Sequence, residues 1–134
     1  MNPKSPTNFD AHVGNQLRHI RLTRKMSQEV LGEHLGLTFQ QIQKYEKGTN
    51  RIPTSRLHKI AELFEVNVDY FSPSKPANGD SVPKVSDIDR FMATKEGVTI
   101  ANAMVRIADP VVRGKIVQAI EALSEAVCAV RGGQ

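Results

Sequence analysis

Between Phe9 and about Lys25 the apolar residues Val13, Leu17, Ile20 and Leu22 recur at helical spacing, with Arg18, Arg24 and Lys25 opposite them. That pattern predicts an amphipathic first helix. Ser27 is placed to cap a second helix whose inward face is Val30, Leu31 and Leu35, and Gly32 is small enough to let a neighbouring helix approach. Gly36 stops it, because a glycine just past the last periodic residue adopts the left-handed conformation cheaply. Leu37 plugs the turn and Thr38 caps a third helix running to about Lys47. Only Ile42 and Tyr45 repeat there at core spacing, which turns Phe39, Gln40, Gln41, Gln43, Lys44 and Lys47 outward. Pro53 suits the opening of a fourth helix that packs Leu57, Ile60, Ala61, Leu63 and Phe64 inward and ends at Val66-Asn67. Val68–Phe71 is a last short turn with Asn67 as its cap.

The pattern then changes. Residues 72–85 hold prolines at 73, 76 and 83 among small polar residues, the composition of a linker. The chain therefore divides into a flexible N-terminus (1–8), a helical domain (9–71), the linker (72–85) and a helical tail (86–131). In the tail, Ser86-x-x-Asp89 resembles a capping box ahead of a short helix with Ile88, Phe91 and Met92 on one face, broken at Gly97. A second helix from about Thr99 to Ile107 buries some of Ile100, Ala103, Met104 and Ile107. Asp109-Pro110 opens a long third helix that Gly132-Gly133 ends. In it Ile116, Ile120, Leu123, Val127 and Val130, preceded by Val112, follow the 4-3-4-3 spacing of a coiled-coil seam. The seam predicts either a partner helix or an intramolecular core formed by folding back on the two shorter tail helices.

Composition narrows the function. No stretch is long and apolar enough to span a membrane, Met1–Asn8 lacks a signal-peptide core, and the single Cys128 cannot form an internal disulfide. A cytoplasmic protein is expected. The four histidines are scattered without metal-ligand spacing, so no metal is expected. No glycine-rich phosphate loop, oriented nucleophile or acid/base constellation is present, so neither enzymatic activity nor a cofactor is expected. The net charge of +4 is unevenly placed: residues 18–59 hold nine Lys/Arg against three acids, a balance of +6. Phosphate binding requires such a basic stretch. The outward side chains of the third helix add to this, since a glutamine amide both donates and accepts, as adenine's major-groove edge demands, and lysine suits guanine acceptors or phosphate.

Gln28, Val30-Leu31-Gly32, Gly36-Leu37-Thr38, Ile42, Tyr45-Glu46-x-Gly48 and Arg51-Ile52-Pro53, within about Leu17 to Phe71, together resemble the phage-repressor/Cro-type (Xre) helix-turn-helix domain. The resemblance implies an all-α fold: a five-helix repressor-like DNA-binding domain followed here by the tail. It implies base-facing positions for Thr38, Phe39, Gln40 and Lys44, with Gln41 beside them. Phe39 departs from the usual polar residue there, and should touch a thymine methyl or a sugar. Backbone contacts are expected from Ser27 and Gln28 at the start of the scaffold helix, and from Lys47 and Arg51, which flank the recognition helix. Arg21 and Glu46 match the family's partly buried ion pair. The stretch from Phe91 to Arg113 is similar to the tail of a group of alphaproteobacterial Xre regulators, which implies self-association along Val112, Ile116, Ile120, Leu123, Val127 and Val130. The expected partners are double-stranded DNA and a second copy of the chain, since a two-fold dimer doubles the sequence read across half-sites about 34 Å apart. A homodimeric repressor is the leading expectation. An antitoxin-like module that holds a partner protein, with autoregulatory DNA binding, is the alternative; an effector would sit at a dimer interface.

Overall fold

The computed structural model describes residues 7–73 and 84–132. Among these the chain is all-helical. Four helices, α1 (Asn8–Thr23), α2 (Gln28–Leu35), α3 (Phe39–Lys47) and α4 (Thr54–Phe64), are closed by a short 3₁₀ turn over Val68–Phe71. The fifth helix of the expected bundle is thus this single turn. α5 (Asp87–Met92), α6 (Lys95–Arg106) and α7 (Pro110–Gly132) follow. The chain forms two compact units, Met1–Val98 and Thr99–Gln134.

Each boundary in the first unit has a local cause. Thr7 and Asp10 form a reciprocal capping box at the start of α1, so the ordered helix begins inside the segment expected to be flexible; residues 1–6 lie outside the described residues. Ser27 caps α2 by accepting from Val30 N–H, and Gly36 ends it at φ 69°. Thr38 and Gln41 cap α3 reciprocally. α4 ends at Glu65, which takes a left-handed φ of 56° without the glycine usually found there. Leu17, Leu31, Ile42, Ile60, Phe64 and Phe71 are fully buried, each stabilising the fold by about 1.5–3 kcal/mol through transfer from water. Val30 does not join them. It lies about 100° round α2 from Leu31 and is 40% exposed.

α5 packs on α1 within the same unit. Asn15 Nδ2 donates to the Asp89 carbonyl (3.2 Å), and His19 Nδ1 donates to that of Met92 (2.9 Å). Two polar side chains of α1 thereby satisfy carbonyls that a six-residue helix leaves open. Val85 is buried, although it closes the expected linker; residues 74–83 of that linker lie outside the described residues. Gly97 is not a breaker. The chain turns at Ala93-Thr94, and α6 starts at Lys95, four residues before the expected start. Thr94 Oγ1 donates to the Phe91 carbonyl (2.6 Å) and accepts from Gly97 N–H (3.0 Å). Gly97 sits in the first turn of α6 because a Cβ there would lie 2.1 Å from the Phe91 oxygen. In the second unit, the Asp109 carboxylate accepts from Val111 N–H (2.9 Å) at the start of α7. None of the residues 110–131 is buried.

Candidate nucleic-acid interface

α3 divides sharply between the groups that hold it and the groups it presents. Ile42, Tyr45 and Glu46 point inward. Phe39 is 40% exposed, and Gln40, Gln41, Gln43, Lys44 and Lys47 are exposed as well. The one acid on the helix, Glu46, lies under it rather than on its outer face. Arg21 reaches it from α1 with two hydrogen bonds, Nε to Oε2 at 2.5 Å and Nη2 to Oε1 at 3.0 Å. The fork geometry is bidentate, and its charge neutralises the carboxylate where water cannot. Arg21 Nη1 also donates to the Met26 carbonyl (2.8 Å), which holds the turn between α1 and α2. The outer surface of α3 is left amide-rich and basic with no exposed anion, the electrostatic condition for approaching phosphate.

Several of the expected contact residues carry structural duties. Thr38 accepts from Gln41 N–H (3.3 Å), while the Gln41 carboxamide oxygen accepts from Thr38 N–H (3.0 Å). Both side chains are thus engaged in the cap, whereas among the described residues Gln40, Gln43 and Lys44 extend from α3 without a side-chain hydrogen bond to the rest of the chain. Gln28 Nε2 donates to Glu46 Oε1 (3.0 Å), so this half-buried residue braces the first turn of α2 against α3. Ser27 is exposed beside it at the α2 N-terminus, where unpaired backbone N–H groups favour an anion. Lys47 is exposed at the far end of α3.

Arg51 is half exposed and pairs with Asp10 across 3.0 Å. Burial works to raise the Asp10 pKa, but the hydrogen bond and charge of Arg51 and the bonds from the Thr7 backbone and hydroxyl outweigh it, and the carboxyl is held below its ordinary value. Arg51 lies in the loop after α3, and its pairing with Asp10 was not foreseen from the sequence; Thr7-x-x-Asp10 carries the same cap signature as Ser86-x-x-Asp89 and could have revealed the acid. Arg56 was also missed: its Nη1 donates to the Tyr45 hydroxyl (2.9 Å), tying α4 to α3. The dimer-seam residues all lie on α7. Among the described residues Val112, Ile120, Leu123, Val127 and Val130 are exposed and Ile116 is half-buried.

Residues 17–71 match the family model for the helix-turn-helix domain. An HTH-type transcriptional regulator of Sinorhizobium medicae is 43% identical over 92% of this chain and 94% of its own length. The chain belongs to the Xre-type helix-turn-helix transcriptional regulators. Similarity extends to a Sinorhizobium fredii HTH-type regulator, 36% identical over 90% of both chains, and to a Rhodospirillum rubrum regulator in an ATPase CF(0) region, 48% identical over 52% of this chain and 68% of that protein. No solved structure matches. The alignments with the two Sinorhizobium proteins extend over nearly the whole chain, whereas the family model covers the DNA-binding domain of this Xre-type regulator alone. Among the described residues no helix is long and apolar enough to cross a membrane.

Proposed function

We propose that this DNA-binding regulator acts as a homodimeric repressor, inserting α3 into the major groove at each half of a palindromic operator. The observation that carries the reading is the outer face of α3, where Gln40 and Lys44 project from a helix fixed underneath by the buried Arg21–Glu46 pair. Gln40 and Lys44 read base edges, Phe39 contacts a methyl or sugar, and Thr38 and Gln41 meet the duplex from the cap. Ser27, Gln28, Lys47 and Arg51 hold the phosphates and set the register. The second copy associates through the α7 seam and brings the second recognition helix to the next half-site. The regulator acts on the nucleoid, in the cytoplasm.

Base readers and phosphate holders respond differently to truncation. Gln40→Ala and Lys44→Ala should each cost about 1–3 kcal/mol on the operator and relax preference at one position, whereas Arg51→Ala should weaken all sequences alike and flatten the salt slope by about one. Titrations of operator and random duplexes over a range of salt separate these outcomes. Equal losses on both duplexes for Gln40→Ala and Lys44→Ala would reject them as readers.

A further inference from the structure

Arg51 and Asp10 meet across a joint that the backbone fixes on both sides. Gly48 ends α3 at φ 76°, and a Cβ there would lie 2.7 Å from the Ala11 Cα, so the end of α3 rests directly on the first turn of α1. Beyond it the Thr49 and Asn50 N–H groups both donate to the Lys44 carbonyl (3.0 and 3.3 Å), and Ile52 is buried in the core. Arg51 therefore leaves the main chain from a short loop anchored before and after it, and its side chain pairs with the residue preceding Ala11.

The two ends of the pair are unlike. The Asp10 side chain is 5% exposed and that of Arg51 is 52% exposed. Asp10 Oδ2 accepts from the Thr7 N–H (3.1 Å) and hydroxyl (3.0 Å), which fixes the carboxylate and leaves Oδ1 to accept from Arg51 Nε (3.0 Å). Among the described residues Nη1 and Nη2 of Arg51 make no hydrogen bond. Because a guanidinium is a rigid planar fork, holding it at the main chain and at Nε restricts where its remaining N–H donors lie. A solvated arginine loses rotamer freedom when it settles on a phosphate, whereas one already held has lost much of that freedom on folding. Asp10 also carries a charge that repels phosphate and competes for the arginine, so its two effects on DNA binding have opposite signs.

Resting on the reading of Arg51 as a phosphate contact, we propose that Asp10 is a positioning residue for DNA binding, which holds Arg51 by Nε and leaves the Nη1 and Nη2 edge for a phosphate oxygen. The test is fluorescence anisotropy of a labelled mixed-sequence duplex titrated with the full chain over a range of salt, with folding checked by circular dichroism. Asp10→Asn should weaken binding by about two- to tenfold and lower the salt slope towards that of Arg51→Ala. In an Arg51→Ala background the same change should have no further effect. Arg51→Lys, at an exposed position, keeps the charge but lacks the second donor edge, and should lose nearly as much affinity as Arg51→Ala. Unchanged or tighter binding by Asp10→Asn, an equal loss with and without Arg51, or wild-type affinity in Arg51→Lys overturns the positioning role while Arg51→Ala still binds weakly. Wild-type affinity and salt slope in Arg51→Ala itself overturn the phosphate contact, and the positioning role with it.

Discussion

Eleven apolar residues between Val13 and Phe71 close into one buried cluster, whereas α7, the longest helix among the described residues, buries none of residues 110–131. Both regions show apolar residues at helical spacing. They differ in what the chain offers to cover them. In the first unit the apolar stripes of α1 to α4 find one another within the same molecule, and the turns at Gly36 and Gly48 are tight enough to bring them together, while Ile88, Phe91 and Met92 of α5 stay exposed. Among the described residues the apolar seam of α7 is left largely uncovered. Since helices in water draw most of their stability from packing, this exposed face is the reason for proposing association through α7. Periodicity therefore reveals that a face will be covered, but not by which molecule.

The contrast can be broken from the first unit most forcefully. Glu46→Ala removes the acceptor of a buried arginine and should destabilise the DNA-binding unit by about 3–5 kcal/mol, read by urea denaturation. Leu123→Glu, on an exposed seam position, should leave that unit folded and abolish the dimer. A smaller effect distinguishes the clamp at the start of α1. Because the Asp10 pKa is lowered on folding, its contribution is present above the unfolded value near 3.8 and is lost as pH falls through the folded value. Asp10→Asn should therefore cost about 1 kcal/mol at neutral pH and progressively less as the pH falls below the unfolded value, so the gap between the two denaturation curves should narrow on acidification. A gap independent of pH would remove the charge from the account. The smallest effect concerns α7: Gly114 is mid-helix with open space around its Cβ position, so Gly114→Ala should raise helix stability by about 0.5–1 kcal/mol, seen as a higher melting temperature of the tail signal.

Where capping chemistry and periodicity coincide, the architecture was legible. Ser27, Thr38, Asn67, Ser86 and Asp109 all serve as the caps their sequence contexts announce. Glycines were harder to interpret. Gly36 ends a helix, yet Gly97 lies inside one, because a glycine required for close approach and a glycine required for positive φ look alike in a sequence. Gly14 went unnoticed for the same reason: a Cβ there would sit 2.1 Å from the Tyr45 carbonyl oxygen, which lets α1 lie directly on α3. Long-range side-chain bonds were hidden too. Nothing local signals that His19 and Asn15 hold α5, or that Arg56 reaches Tyr45, since those pairings depend on how helices are brought together in space.

The hydrogen-bonding pattern along α3 also bears on how such regulators diverge. Thr38 and Gln41 are tied into the cap, and Glu46 into the buried pair, so a change at any of them carries a folding penalty that selection must offset. Gln40, Gln43 and Lys44 are exposed, and most surface exchanges at such positions stay within about 0.5 kcal/mol of neutral for the fold. With Gln40 and Lys44 as the proposed readers, operator preference can change at two positions without compensating mutations in the core.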